Sequence, residues 1–178
     1  MVDRQKQFDV SFGGLALGKH QFEFEVDNKF FTGFEQQDVH QGSFIIKVQL
    51  TKQTHLLTFD YTINGSLTVE CDRCCEKFTM PINSIEQMLV KFGERAVEED
   101  IDVYVIPTSE THINIAHQIY EYIVVSIPMH IVHPDDAKGK STCNPTVLNT
   151  LEKIQKVNKK IKGEKLDPRW DALKNLNN

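Results

Sequence analysis

The chain has 178 residues, of which 40% are hydrophobic and 25% charged, as in an ordinary soluble globular protein. The net charge of −5 and the pI of about 5.8 give no overall signature of nucleic-acid binding, because basic binding domains have a much higher pI. The N-terminus lacks an apolar signal core, and no run approaches the roughly 18 apolar residues of a membrane span. Four cysteines without a secretion signal fit a reducing compartment. We therefore expect a cytoplasmic protein that makes no membrane contact.

The first half of the chain alternates between apolar and polar residues with the period of β-strands. Residues 21–26, 43–50 and 55–63 show this alternation, and residues 80–92 are predicted to continue the sheet. Asn64-Gly65 is a dipeptide typical of hairpin turns, so it predicts a turn before a further strand at Ser66–Cys71.

The middle of the chain changes character twice. Residues 27–39 are predicted to form a short helix or a loop, and the acidic stretch Glu94–Asp102 is predicted to be a solvated loop, followed by a strand at 103–106. From residue 113 to 127 the period becomes helical, because isoleucines at 115, 119, 123 and 127 share one face. Asn114 is expected to cap this helix and Pro128 to end it.

The C-terminal part is predicted to be helical and basic. Asn144-Pro145 supplies a capping residue and a first-turn proline, and an apolar stripe follows to residue 161. Residues 146–166 carry a net charge of +4, which leaves −9 on the rest of the chain. We therefore expect an α+β fold in which the 114–127 helix crosses an antiparallel, barrel-like sheet. Residues 1–145 would form this domain, and residues 146–178 a lysine-rich helical extension.

Cys71 and Cys74 form a Cys-x-x-Cys pair between two predicted strands. A pair at this spacing can bind a soft metal, form a redox disulfide, or do neither. A thioredoxin-type pair opens a helix within a βαβ unit, and no helical period follows Cys74. Cys75 is expected to point away from Cys74 and to fill the core.

A zinc site needs two more ligands, and Cys143 with His133 is the best candidate for them. Cys143 directly precedes the predicted start of a helix, where the backbone dipoles favour a thiolate. Three cysteines and one histidine form a common structural zinc set. Alternatives remain open, since His133 can be a solvent-facing loop residue, Cys143 a small residue packed at a helix start, and His130 a competing ligand.

The cationic residues suggest a contact with phosphates. Arg73 lies in the exposed turn between the two cysteines, where it can meet a phosphate or simply pair with Asp72. The lysine face of the C-terminal helix can contact RNA or the ribosome, or serve only solubility. Few aromatic residues lie among these lysines, so the contact would be to phosphates and sensitive to salt. The candidate contact residues are Arg73, Lys153, Lys156, Lys159, Lys160 and Arg169.

No catalytic constellation is found. The sequence has no Gly-x-Ser-x-Gly, no phosphate-binding glycine loop and no His-Glu-x-x-His. We therefore expect no enzyme and no small-molecule substrate.

Three segments together resemble the YceD family of bacterial proteins, which have plastid relatives and are named for accumulation of large-subunit ribosomal RNA. The segments are Glu70-Cys71-Asp72-Arg73-Cys74 after its strand, the stretch 127–133 followed by Cys143, and Asp167-Pro168-Arg169-Trp170 at the C-terminal end. The resemblance covers roughly residues 40–178.

The resemblance implies a non-enzymatic role in the synthesis, processing or stability of large-subunit ribosomal RNA. It also implies that Cys71, Cys74, His133 and Cys143 occupy the family's recurring thiol and thiol-or-imidazole positions, with Zn²⁺ as a structural cofactor. The expected partner is large-subunit ribosomal RNA or a ribosomal protein. The alternatives are a thiol redox protein that uses Cys71 and Cys74, or a purely protein-binding module that docks through its C-terminal helices.

Overall fold

A computed structural model of the protein describes residues 6–34, 41–93, 98–100 and 103–162, without the side chains of 98–100 and 158–162. A short 3₁₀ helix (Lys6–Phe8) precedes the first strand. The strands are β1 (Asp9–Ser11), β2 (Gly18–Val26), β3 (Gly42–Lys52), β4 (Leu56–Glu70), β5 (Lys77–Gly93), β6 (Glu98–Asp100), β7 (Val103–Pro107) and β8 (His112–Asn114). The helices are α1 (Asn28–Phe31), α2 (Ala116–Val125) and α3 (Pro145–Lys162).

The chain divides into two compact units. Unit 1 consists of Met1–Val69 and Lys77–Ile131, and unit 2 consists of Glu70–Glu76 and Val132–Asn178. The boundary that the sequence predicts between residues 145 and 146 stays a prediction.

Unit 1 is built on a six-stranded sheet with the strand order β2-β3-β4-β5-β7-β6, and β1 pairs separately with β8. β3 is antiparallel to both β2 and β4, whereas β5 and β7 are parallel. The class is therefore α+β, as predicted, but the sheet is mixed rather than purely antiparallel. Among the described strands the order ends at β2 and β6, and a closed barrel is not confirmed. The end strand β6 has only three residues, too few to offer a long edge for closure.

The predicted alternation in the first half is confirmed as alternating burial. In β3 the buried residues are Phe44, Ile46, Val48 and Leu50, and in β4 they are Leu57, Phe59, Tyr61 and Ile63. Because side chains of a strand point to opposite faces in turn, these residues line one face of the sheet. That face forms the core of unit 1.

The turn predicted at Asn64-Gly65 is wrong. β4 continues through both residues, and Gly65 pairs with Phe44 of β3. A Cβ atom at residue 65 would collide with the Ser43 carbonyl oxygen and with the Phe44 ring. The glycine therefore permits a close approach of two strands, which is the other common reason for glycine within a strand.

The prediction that the acidic stretch Glu94–Asp102 is a loop is partly wrong. Glu98–Asp100 forms β6, antiparallel to β7, although a loop is predicted there. Residues 94–97, 101 and 102 lie outside the described part of the chain.

The helix predicted at residues 114–127 is confirmed in a shorter form. α2 begins at Ala116 because residues 112–114 form β8, in which Ile113 pairs with Val10 of β1. Asn114 still serves the helix start, since its Oδ1 accepts the Ala116 N–H at 3.0 Å. The stripe of Ile115, Ile119 and Ile123 is fully buried, as its spacing predicts.

Two polar side chains complete the packing of unit 1. The Lys52 ammonium donates to the carbonyl oxygens of Phe12, Gly13 and Leu15 at 2.7, 3.4 and 2.9 Å, and so fixes that loop. Tyr61 is buried, and burial, aided by neighbouring tyrosines, raises the pKa of its hydroxyl well above the ordinary value.

Within the described residues, no helix is both long and apolar enough to span a membrane.

Candidate metal centre

The first half of the site is a tight knuckle between β4 and β5. The Cys71 N–H donates to the Glu76 carbonyl at 3.0 Å, and the Cys75 N–H donates to the Cys71 carbonyl at 2.8 Å. Cys75 has a left-handed backbone with φ of 59°, which turns the chain back immediately after Cys74. Cys71 and Cys74 are consequently buried while Cys75 is exposed, so the prediction that Cys75 fills the core is wrong.

The second half is a hairpin-like loop between His133 and Cys143. Asp135 and Ser141 form an isolated antiparallel bridge. The carboxylate of Asp136 accepts the N–H groups of Lys138 and Lys140, both at 2.8 Å. Gly139 has φ of +72°, a conformation that glycine adopts without a steric cost. The loop therefore doubles back and brings its two ends together, which accounts for nine residues between two neighbouring side chains.

The two halves bring four potential ligands to one point within unit 2. The Sγ atoms of Cys71, Cys74 and Cys143 and a ring nitrogen of His133 all lie within 4.8 Å of one another. Cys71 Sγ is 3.7 Å from Cys143 Sγ, and His133 Nδ1 is 3.4 Å from Cys74 Sγ and 3.7 Å from Cys143 Sγ. These four side chains are close enough to hold one metal ion, and exposed His130 is not among them.

The pKa values of the Cys71 and Cys74 thiols are shifted in opposite directions. Burial alone would raise the pKa of Cys71, but N–H groups of the Arg73, Cys74 and His133 backbone, together with the His133 ring, lower it to about 6. For Cys74, burial raises the pKa, the N–H groups of Asn144 and Glu76 oppose the rise, and the neighbouring thiols add to it. The N–H donors favour a thiolate at Cys71. A cation between the three sulfur atoms would stabilise further thiolates there, because it offsets the repulsion between their negative charges.

The cysteines are also the whole buried core of unit 2, so far as its side chains are described. Cys71, Cys74 and Cys143 are 1%, 5% and 2% exposed, and no other described side chain of this unit is fully buried. The apolar residues nearest to burial are Val147, Leu148 and Leu151 at the start of α3, which are half-buried. Unit 2 is therefore organised around sulfur rather than around a hydrophobic cluster.

Asn144 joins the start of α3 to the knuckle. Its Oδ1 accepts the Thr146 N–H at 2.9 Å, which caps the helix as the sequence predicts. Its Nδ2 donates to Glu76 Oε1 at 2.6 Å. The first turn of α3 is thus held beside the four ligand atoms by one side chain.

The candidate contact residues lie in different places. Arg73 is exposed, and its guanidinium donates to Ser141 Oγ at 3.3 Å, so it contacts the loop between His133 and Cys143. Lys153 and Lys156 are exposed on α3, and Lys156 lies 3.7 Å from Glu152. Lys159 and Lys160 belong to α3 but their side chains are not described, and Arg169 and Trp170 lie outside the described residues.

Sequence reasoning missed the residues that shape the loop. Ser141 Oγ accepts from both Arg73 and the Cys143 N–H, and so links the two ligand-bearing segments. Asp136 and Gly139 are three residues apart and match the first and fourth positions of a type I turn. This spacing could have predicted the turn from the sequence.

Comparison with known proteins places the chain in a family. Residues 59–177 match the family described as "Large ribosomal RNA subunit accumulation protein YceD". No curated protein and no solved structure matches the chain. The family match includes all four candidate ligands and covers well over half of the sequence, in agreement with the resemblance noted above. The chain therefore belongs to the YceD family.

Proposed function

We propose that this chain is a cytoplasmic, non-enzymatic factor that supports the accumulation of large-subunit ribosomal RNA, and that a structural Zn²⁺ holds its unit 2 together. Membership of the YceD family supports the first part. The observation that carries the second is the convergence of Cys71, Cys74, His133 and Cys143 in a unit with no other fully buried side chain among those described.

Three of the six distances between the ligand atoms match a tetrahedral zinc site, and all six are within 4.8 Å. With Zn–S of about 2.3 Å and Zn–N of about 2.0–2.1 Å, a tetrahedral site has S···S edges of about 3.8 Å and S···N edges of about 3.6 Å. The Cys71–Cys143 distance is 3.7 Å, and the two distances to His133 Nδ1 are 3.4 and 3.7 Å. Four protein ligands leave no open position for water, and such closed sites are structural rather than catalytic. The backbone N–H groups directed at Cys71 would support the ligands from the outer shell.

Metal content tests the zinc proposal. Protein purified without chelator should contain one zinc per chain, and Cys143→Ser should lose it because a thiolate ligand is removed. Cys75→Ser is the matched control, since Cys75 is exposed and is not one of the four ligands. Wild-type protein without stoichiometric metal, or equal loss in both variants, would contradict the four-ligand site.

The contact with ribosomal RNA is assigned to the phosphate backbone. Arg73, Lys153, Lys156, Lys159, Lys160 and Arg169 are the proposed contact residues. Arg73, Lys153 and Lys156 are exposed, and exposed cations bind phosphates with an affinity that falls steeply with salt.

Co-sedimentation with large-subunit precursors tests the RNA role. We expect the association to weaken as salt rises, and to weaken further in a Lys153→Gln/Lys156→Gln variant. The control Lys47→Gln/Lys91→Gln removes the same charge from exposed positions of unit 1. Depletion of the protein should lower the level of large-subunit ribosomal RNA. An unchanged level would contradict the proposed RNA role, whether or not zinc is bound.

A thiol redox protein is the second candidate, favoured by the Cys71 pKa of about 6, since redox cysteines are commonly thiolates. The burial of Cys71 and Cys74, at 1% and 5% exposure, weighs against it, because a redox nucleophile must meet its substrate. An insulin-reduction assay separates the candidates: activity that Cys71→Ser abolishes would support redox chemistry, and its absence would favour the structural site.

A further inference from the structure

β2 lies at one end of the six-stranded sheet of unit 1, and its outer edge is unpaired within the described residues. Its nine residues, Gly18–Val26, pair with β3 alone. The register of that pair runs without a shift, from Gly18 opposite Lys52 to Val26 opposite Phe44. At about 3.4 Å per residue the strand is about 30 Å long. A regular edge of this length presents a row of backbone N–H and C=O groups that can pair with another strand.

β2 carries few of the features that protect an edge strand from such pairing. It contains no proline and no bulge, and its inward-facing residues include no carboxylate and no lysine. Phe22 and Phe24 pack against the core but stay half-buried, and no described strand lies beyond them. A further strand at this edge would therefore extend their burial.

The outward-facing charges of β2 are only partly matched within their own sheet. Glu23 lies opposite Lys47 of β3, which has the opposite charge. Lys19 and Glu25 lie opposite uncharged residues of β3, and neither has an ion-pair partner among the described residues. A strand that pairs with this edge would thus be favoured if it offered a carboxylate to Lys19 and a cation to Glu25.

We propose that the outer edge of β2 is a self-association surface, on which β2 of a second copy of this chain pairs in the antiparallel direction. Full overlap of two nine-residue strands places the twofold axis at Phe22. In that register Lys19 of each copy meets Glu25 of the other. On the inner face Phe22 meets Phe22, and His20 meets Phe24. The two charges that β3 leaves unmatched are therefore the two that a second copy matches.

Other registers of the same pair fit less well. A shift by two residues in one direction places Glu23 directly opposite Glu23 of the second copy, and like charges at opposed positions are destabilising. The same shift in the other direction moves Glu25 beyond the end of the paired strand. A shift by one residue sets the apolar face of one copy beside the polar face of the other. Charge and burial together favour the register with full overlap.

Backbone hydrogen bonds contribute most of the contact. Because alternate residue pairs of an antiparallel ladder exchange two bonds, nine pairs form about eight to ten of them. The contact is limited to one strand of each copy, so the dimer should depend on protein concentration. It lies in unit 1 and includes none of the four candidate metal ligands. It therefore requires neither zinc nor RNA.

Charge reversal in the full chain, free of RNA and with its native metal content, tests the proposal. In sedimentation, the average mass of the wild type should rise from one chain toward two as concentration increases. Lys19→Glu and Glu25→Lys should each raise the dissociation constant at least about tenfold, because each turns two attractive pairs into repulsive ones. The double variant Lys19→Glu/Glu25→Lys should return it to within about threefold of wild type, since both pairs are restored with their charges exchanged.

Lys91→Glu is the matched control. It makes the same charge change at an exposed position of β5, which β3 and β4 separate from β2. The dissociation constant of this variant should stay within about twofold of wild type. Because Lys19 and Glu25 are exposed as well, all variants should fold, and an unchanged circular dichroism spectrum would establish that they do.

Three results would overturn the proposal. They are a single-chain mass at every concentration, a dimer that both single reversals leave intact, and a double variant that associates no more tightly than the single ones. Hydrogen exchange gives an independent measure, since the amides of Gly18–Val26 should exchange more slowly as concentration rises while those of β4 stay unchanged. Slow exchange of the β2 amides in a single chain would mean that the edge is already covered, and would also overturn the proposal.

Discussion

Removal of the proposed zinc should unfold unit 2 while unit 1 stays folded. Unit 2 comprises 54 residues, Glu70–Glu76 and Val132–Asn178, a size at which a hydrophobic core rarely supplies more than about 3–5 kcal/mol and small domains commonly add a metal or disulfides. Its buried side chains, among those described, are the three cysteines. Structural zinc contributes about 10–16 kcal/mol of apparent binding free energy, which matches or exceeds the 5–15 kcal/mol by which a typical domain is stable. No other interaction described in unit 2 approaches that magnitude.

Hydrogen exchange with mass spectrometry measures this prediction segment by segment. After chelation, the amides of residues 70–76 and 132–157 should exchange at nearly unfolded rates, whereas those of β3 and β4 should keep their protection. Cys143→Ser should reproduce the chelated pattern without chelator, and Cys75→Ser should match the metal-bound wild type. If residues 132–157 keep their protection after the metal is removed, the sulfur cluster is not the core of unit 2 and the reasoning fails.

Three further predictions concern unit 1. Because the pKa of Tyr61 is raised, the folded state keeps the hydroxyl proton above about pH 10, whereas the unfolded state releases it. Stability should therefore fall as pH rises above about 10. The urea midpoint should fall less steeply with pH in Tyr61→Phe than in wild type. Lys52→Met should cost about 2 kcal/mol in urea unfolding because three backbone carbonyls lose their donor, and a loss below about 0.5 kcal/mol would refute this role. Gly65→Ala should cost more than about 1 kcal/mol since its Cβ meets backbone, whereas Gly14→Ala, with open space around the residue, should be close to neutral.

Strands and helices with a strong hydrophobic period were predictable from sequence. The isoleucines of α2 and the alternating residues of β3 and β4 are buried as their spacing indicates. The errors lie where tertiary contacts override local preference. Asn64-Gly65 has the sequence of a turn, but the close approach of β3 requires a glycine at residue 65 without any turn. The parallel β5–β7 pair could not be inferred, because strand direction depends on a connection that leaves no periodic signal.

The ligand set was proposed from residue types, but its geometry was not derivable. Cysteine and histidine content suggested the set, although the nine residues between His133 and Cys143 exceed the two to five that are usual in zinc-finger spacing. The short distance between them depends on the Asp135–Ser141 bridge and on the Asp136 carboxylate bonds within the loop. A loop of this kind is specified by turn residues such as Gly139, which a search for ligand spacing ignores.

The metal centre and the basic helix are physically connected, because Cys143 lies two residues before the start of α3. Asn144, between them, caps the helix and also bonds to Glu76 of the knuckle. Any ion bound by Cys143 would therefore fix the first turn of α3, and with it the direction in which the lysines project from unit 2. Loss of the metal should therefore weaken RNA association, although none of the proposed phosphate contacts is a ligand.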